Sequence, residues 1–480
     1  MNIGGREARL RLGPLQKPRD VSDSPASDVS RIPSEIPSTV GISESPSVDG
    51  IGVLMISDFV YPGLGGVETH IYQLSNCLVN MGYRVVMFSH SRVHPRRPRS
   101  ARHGVRYLAN GVKAYYYASP VMHEQCTWAQ PIGTFPILRE ILVRERISIV
   151  HGHQAPSSLT LECIAHAKNL GYGAIFTDHS LFGFADAGSI HVNKCLKIFL
   201  SQIDACISVS YTNKENLCLR ACIPPKKISV IPNALNYELF SPNPSIPDNG
   251  FINPAPSVVN VVMIGRLTFR KGTDLLAQAI PIIASRFQNN VRFIIGGDGP
   301  KQLLLEEMRE RFGLYDRVVL LGGLSQKQVR KTLRCGHVFL NASLTEAFCI
   351  GILEAACTGL LVVCTNVGGV TEVLPPHLAS FVECNPQALA DGATIAIQKV
   401  LNGQWDPWAI HREVAPMYNW TNVAHRVHAV YQHALQAPQV PYTQIVKSWA
   451  LSWDYSLWAN IYIYFVQLFM GLLWCLYRPP

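Results

Sequence analysis

The chain has 480 residues, 48% of them hydrophobic and 16% charged, and a formal net charge of +9. That length exceeds one ordinary core and suits two domains, while the apolar share excludes a wholly disordered chain. The positive balance favours anionic partners without choosing among phosphorylated sugars, acidic lipid surfaces and nucleic acid.

Residues 1–50 are rich in Ser, Pro and charge, hold no apolar run of signal-peptide type, and are expected to form a disordered tail. IGVLMIS then reads as a buried strand, followed by a Gly-rich turn, an amphipathic helix from Val67 to about Met81, and the strand YRVVMFS. The alternation continues through ISIVHGH, YGAIFTDHS, DACISVS and ISVIPNA with helices between them. This pattern predicts a parallel sheet covered on both faces, in a first domain over 51–235. Prolines and asparagines crowd 236–256, which reads as a linker. A second series, VVNVVMIGRL, VRFIIGGDG, RVVLLGG, HVFLNAS and LLVVCTN, precedes helical patterns at 386–401 and 422–435 and predicts a second doubly wound domain over 257–435.

Residues 455–477 carry no charge and are just long enough to cross a hydrocarbon core of roughly 30 Å as a helix. Trp453, Trp458, Trp474 and Tyr477 stand toward its ends, as interface anchors do, so a transmembrane anchor is expected. Asn460 and Gln467 leave a buried or interfacial helix as the alternative. The thirteen cysteines are scattered, without a CxxC pair or a Cys/His cluster at zinc spacing, and read as reduced core residues of a cytosolic body.

Ligands of open parallel sheets bind beyond the carboxyl ends of the strands, so the loops there hold the candidates. In DFVYPGLGGVETH, Gly65 and Gly66 precede a helix where bare backbone can approach a phosphate, or they simply make a tight turn. The third glycine of GxGxxG is missing, and no acid ends the next strand near His90, which speaks against a dinucleotide. In GRLTFRKG, Arg266 and Lys271 could neutralise a departing diphosphate, with Arg270 a third cation of less obvious aim; a surface basic loop is the plain alternative. GGDGP, over 296–300, adds a weaker glycine signal.

In SLTEAFCIGILEAACTG, Glu346 and Glu354 lie eight positions apart. A mostly helical interval would separate them by roughly 10 Å, comparable with a nucleotide sugar, so one carboxylate suits the sugar and the other the ribose. Two solvated glutamates are the alternative. His179 and Asp178, after a first-domain strand, complete the candidates, although a histidine there is more often structural than catalytic. No Asp-x-Asp occurs, so no divalent-metal clamp is visible and no metal is expected.

Taken together, these residues resemble the retaining GT-B glycosyltransferases of the glycogen-synthase-like group. YPGLGGVETHIYQL, FTDHSLFGFAD, VSYTNKEN, VIPNA, RKGTDLL, FIIGGDGPK and SLTEAFC narrow the likeness to the PIG-A family of phosphatidylinositol N-acetylglucosaminyltransferase catalytic subunits. The resemblance covers about 51–435. It implies transfer of GlcNAc from UDP-GlcNAc to phosphatidylinositol with retention, within a multi-subunit complex on the cytosolic face of the endoplasmic reticulum, and no nucleic-acid partner. It also implies that Arg266 and Lys271 bind the diphosphate, Glu354 the ribose and Glu346 the donor sugar. His179 would stand at the reacting centre, the backbone of Gly65 and Gly66 would face the phosphates, and no enzymatic nucleophile would be needed. One departure is SRVHPRRPRSARHG, a longer and more basic loop than the family's usual one, which either meets anionic headgroups or is a solvated insertion. Two readings stay open at this point: a transferase with another donor, such as a mannosyltransferase, and a scaffold protein that keeps the fold without the chemistry.

Overall fold

GVLMI forms the strand β1 (Gly52–Ile56) and is buried at every position, as a strand covered on both faces must be. The computed structural model describes residues 50–242 and 258–445 except 62, 64, 92–102, 124, 439 and 442, together with 447, 469, 472 and 476. The expected N-terminal tail, the basic loop at 92–102 and most of the expected linker therefore lie outside the described residues. So does the expected anchor, apart from Phe469, Leu472 and Leu476, which are helical and exposed. Among the described residues no helix is long and apolar enough to cross a membrane.

The first half contains β1, β2 (Arg84–His90), β3 (Gly104–Tyr107), β4 (Lys113–Tyr117), β5 (Val121–His123), β6 (Cys126–Thr127), β7 (Ile147–His153), β8 (Gly173–Asp178), β9 (Ala205–Ser208) and β10 (Ile228–Val230). Its helices are α1 (Gly66–Asn80), α2 (Pro131–Arg144), α3 (Ser158–Asn169), α4 (Ala187–Phe199) and α5 (Tyr211–Ala221). Eight strands make one sheet in the order β10-β9-β8-β7-β1-β2-β4-β3, and β5 pairs with β6 in a separate hairpin. All the pairings in the large sheet are parallel except β3 with β4.

The second half contains β11 (Val259–Ile264), β12 (Val291–Gly296), β13 (Val318–Leu320), β14 (Val338–Asn341), β15 (Leu361–Thr365) and β16 (Ala379–Val382). Its helices are α6 (Thr273–Phe287), α7 (Gln302–Arg311), α8 (Gln326–Arg334), α9 (Ile350–Cys357), α10 (Pro386–Leu401), α11 (Pro407–Val414) and α12 (Trp420–Gln436). Its sheet is parallel throughout, in the order β13-β12-β11-β14-β15-β16. One face is covered by α6, α7 and α10 through Leu276, Ile280, Leu305 and Leu389, and the other by α8, α9 and α11 through Leu333, Ile352, Leu353 and Val414.

Two segments depart from the sequence reading. Residues 104–144 supply four strands and α2, which the sequence reading did not include; β3 is exposed along its length and β5 and β6 are only 3 and 2 residues long, whereas β4 alternates in burial and α2 has a buried face. The helix α12 follows the second sheet in sequence but packs on the first, where Val423, Val427 and Tyr431 join Ile71, Leu74 and Leu78 of α1 in one core. The start of the expected linker is packed as well, since Phe240 is buried in the core of the second sheet and Arg334 donates to the Leu239 and Ser241 carbonyls at 3.1 Å. The twelve described cysteines form no disulfide with one another, and six of them are buried.

Candidate active site

The loop after β11 is pressed against the end of β14. Gly272 sits at φ +69°, and a Cβ there would lie 1.7 Å from the Ala342 carbonyl oxygen, so no other residue fits that approach. The close contact aligns two loops: the Leu344 amide donates to the Arg270 carbonyl at 2.9 Å, and the Lys271 ammonium donates to Glu346 Oε1. Ser343 Oγ donates to the same carboxylate oxygen at 3.0 Å, and the Gly369 amide donates to the Glu346 carbonyl at 2.9 Å. Burial works against the Lys271 charge, but the Glu346 carboxylate outweighs it and holds the lysine's pKa above its usual value. Arg266 is close enough for its charge to oppose that of Lys271.

From the first half, the loop after β8 meets these residues. Arg270 donates to the Leu181 carbonyl at 2.5 Å, and a Cβ on Gly368 would come within 2.9 Å of the Leu181 side chain. That loop is fixed from behind by Asp178, which receives Arg220 Nη2 and, at 3.2 Å, the Ser180 amide. His179 therefore stands in a hydrogen-bonded loop that meets the second half at Leu181. Burial, and then the nearby His70 and His151, hold its pKa well below the usual imidazole value. The junction is reinforced at its edge by Glu372, which accepts the amides of Tyr211 at 2.6 Å and Thr212 at 2.8 Å.

The Gly-rich turn closes a further side. A Cβ on Gly66 would meet Ile350 Cδ1 at 3.3 Å, so this turn abuts the first residue of α9. Gly65 has extended backbone, and a Cβ there would lie 2.3 Å from Glu68 Oε2, so the residue makes room for a carboxylate that folds back over the start of α1. Glu354 lies in α9, partly buried, and desolvation raises its pKa to about 7 against the opposing charge of Arg330. The roughly 10 Å spacing expected for Glu346 and Glu354 assumed a mostly helical interval. The helix begins only at Ile350, after an extended Cys349, so half of the interval is loop.

The structure thus gathers Lys271, Glu346, Arg266, the His179 loop and Gly66 at one junction, with Glu354 on the helix that begins there. Sequence reasoning missed His70 and His153, which lie against His179 with ring centroids 4.7 and 5.6 Å away. Both lie in stretches quoted from the sequence, YPGLGGVETHIYQL and ISIVHGH, but nothing in those stretches joined them to His179. Arg220 was missed too, for it lies 42 residues beyond the Asp178 it holds.

Comparison with known proteins decides the family. Residues 97–186 match the family described as PIGA (GPI anchor biosynthesis), and residues 259–399 match Glycosyl transferases group 1. The PIG-A subunit of phosphatidylinositol N-acetylglucosaminyltransferase from Arabidopsis thaliana is 47% identical over 386 residues, covering 80% of this chain and 82% of that protein. The chain belongs to the PIG-A family of phosphatidylinositol N-acetylglucosaminyltransferase subunits. The human PIG-A subunit is 45% identical over 380 residues, covering 79% of this chain and 75% of its own length. Among solved structures, a sucrose-phosphate synthase from Thermosynechococcus elongatus superposes with a TM-score of 0.63 at 20% identity, over 81% of this chain and 100% of its own. A glycosyltransferase from Rickettsia africae does so with a TM-score of 0.61 at 17% identity, over 81% and 99%. These likenesses show the fold of this PIG-A family member, and that fold is GT-B.

Proposed function

We propose that the chain is the catalytic subunit that transfers GlcNAc from UDP-GlcNAc to phosphatidylinositol with retention of configuration, the first step of GPI-anchor synthesis. The observation that carries this reading is the Lys271–Glu346 pair with Arg266 beside it, set at the junction of the two halves in a member of this family. Lys271 and Arg266 hold the diphosphate and stabilise the charge that grows on it as the sugar departs. Glu346 receives the donor sugar, Glu354 the ribose hydroxyls, and His179 stands beside the sugar. Gly65 and Gly66 let backbone approach the phosphates. The bond from C1 of the sugar to the diphosphate breaks as the inositol oxygen bonds C1 on the same face, and the inositol proton passes to the departing phosphate oxygen. With two cations on the diphosphate, the scheme routes no step through a metal. The chain works among other subunits at the endoplasmic reticulum membrane, with residues 455–477 as its anchor and its catalytic body in the cytosol.

Donor identity is tested in microsomes from cells lacking or expressing the chain, supplied in turn with labelled UDP-GlcNAc and GDP-mannose. Label should reach phosphatidylinositol from UDP-GlcNAc alone and only where the chain is present. Transfer from GDP-mannose instead would reassign the donor.

The Glu354 role predicts a pH dependence. Ribose hydroxyls donate to an ionised carboxylate, so donor binding strengthens as pH rises through the Glu354 pKa of about 7. The ionised fraction rises about tenfold between pH 6 and pH 8, and KM for the donor should fall by about that factor. Glu354→Gln should raise KM and flatten the profile. An unchanged profile in that variant would remove Glu354 from the ribose site.

Topology has its own reporter. Asn341 and Asn419 head formal glycosylation acceptors that a cytosolic body leaves unmodified. Asn341 is buried at the end of β14, so Asn419 is the informative one. Its carboxamide caps α12 by accepting the Asn422 amide at 2.7 Å, so Thr421→Ala, at an exposed residue, is the cleaner way to remove the acceptor. No endoglycosidase shift is expected in either protein. A shift lost in Thr421→Ala would place the body in the lumen.

A further inference from the structure

Four imidazoles crowd the first-half side of the junction, and their hydrogen bonds divide them into two kinds. His151 is fully engaged, with Nδ1 2.7 Å from the Tyr431 hydroxyl and Nε2 2.7 Å from Thr177 Oγ1. The other three, His70, His153 and His179, each present a ring nitrogen within 4.8 Å of the others. His70 is oriented from behind, since its Nδ1 lies 2.8 Å from Asn233 Oδ1; the amide oxygen accepts the Nδ1 proton and leaves the Nε2 lone pair facing away. An outer carbonyl that fixes the tautomer in this way is the usual support of a metal-binding histidine.

His153 Nδ1 and His179 Nε2 stand 3.3 Å apart. Two ligands about 2.0–2.1 Å from a tetrahedral zinc ion are separated by about 3.4 Å, so this pair already has the spacing of one tetrahedral edge. His153 is fully buried, yet its Nε2 has no hydrogen-bond partner. Its ring nitrogens therefore have only the contact between Nδ1 and His179, a poorly satisfied arrangement for a buried imidazole. Burial holds all three rings neutral, the form that binds a cation, with His70 down to about 4.

We propose that His70, His153 and His179 form a binding site for a first-row divalent cation, zinc foremost, with its fourth position open on the half-buried His179 side. Imidazole suits this class of ion, and three protein ligands with one open position is the arrangement of zinc sites that keep an exchangeable water. The third nitrogen lies within 4.8 Å of the others and would have to move closer to bond the same ion. A bound ion at Nε2 would lock the His179 ring and fix the direction of its Nδ1–H. The inference stands on these three rings and does not depend on which sugar is transferred.

The test uses the full-length chain in its purified complex, stripped with a chelator and then titrated with cobalt(II), whose visible spectrum reports low-coordinate nitrogen ligation. Elemental analysis follows zinc reloading and dialysis. Expected are the visible bands of bound cobalt, bleached by one equivalent of zinc, and one zinc more per chain than in complexes carrying His70→Gln or His153→Gln. Should a variant fail to assemble, the wild-type spectrum decides alone, because its bands must be lost when the complex is unfolded and must be unaffected by magnesium. Absence of those bands, or equal zinc in wild-type and assembled variant complexes, would overturn the site and leave the three rings as a neutral hydrogen-bonded stack. Neither readout requires transfer activity.

Discussion

Lys271→Ala should lower kcat for transfer at least about 100-fold at saturating donor, while the complex remains assembled. On the role proposed for it, removing the ammonium takes away one of two cations opposite the departing diphosphate, and a loss of about 2.7 kcal/mol already gives that factor. The substitution does further harm: the Glu346 carboxylate, whose side chain is 15% exposed against 35% for Lys271, loses its counter-ion and would repel the incoming phosphates. The two residues should therefore be coupled. The double variant Lys271→Ala with Glu346→Gln should lose less than the product of the two single losses, measured as kcat in a double-mutant cycle. Strict additivity would mean that the pair does not act as a unit, and near-normal turnover in Lys271→Ala would remove the diphosphate role.

Asp178→Ala should destabilise the purified chain by about 3–5 kcal/mol in urea unfolding, because it leaves the Arg220 guanidinium buried without its partner. Both side chains are 0% exposed. Arg220 also donates to Asn216 Oδ1 at 2.6 Å and the Ser180 carbonyl at 3.3 Å, so the charge is hydrogen-bonded but no longer neutralised. The same change releases the Ser180 amide and with it the loop that carries His179, so transfer should fall even where the protein remains folded. Replacing both partners, Asp178→Ala with Arg220→Met, should recover part of the stability, since an apolar pair carries no unpaired charge. It should not recover transfer. A loss below about 1 kcal/mol in the single variant would show that Arg220 finds another counter-ion.

The two βα series were legible because their strands are nearly continuous apolar runs bounded by glycine and polar loops, and β1 and β7 are buried along almost their whole length. The helix expected from Val67 to about Met81 is α1, Gly66–Asn80, and the pattern at 386–401 is α10, Pro386–Leu401. Between β2 and β7, β3, β5 and β6 were not legible, because exposed and very short strands carry no core-facing period, while β4 and α2 carry one that the reading passed over. The return of α12 to the first sheet was equally hidden: an amphipathic helix shows that it has an apolar face without showing which sheet receives it.

At the candidate site, the residues proposed from sequence are those in compact motifs: Arg266 and Lys271 in one loop, Glu346 and Glu354 in one loop and helix, and Gly65 and Gly66 in one turn. Residues that act across the chain could not. Arg220 behind Asp178 and the histidine cluster around His179 are assembled only when β7, β8, α1 and α5 come together. The same limit explains why the absence of an Asp-x-Asp clamp does not bear on the site proposed at three imidazoles from separate parts of the chain.

The central claim, that this chain carries the catalytic centre for retaining GlcNAc transfer to phosphatidylinositol, is tested most directly by the linkage of the product. Complexes containing wild-type chain or Lys271→Ala are purified in parallel and given labelled UDP-GlcNAc and phosphatidylinositol, and the labelled lipid is digested with α- or β-specific N-acetylglucosaminidase. The wild-type complex should yield a product cleaved only by the α-specific enzyme, and the intact Lys271→Ala complex almost none. A β-linked product would contradict retention, and equal yields from the two complexes would place the catalytic centre elsewhere in the complex.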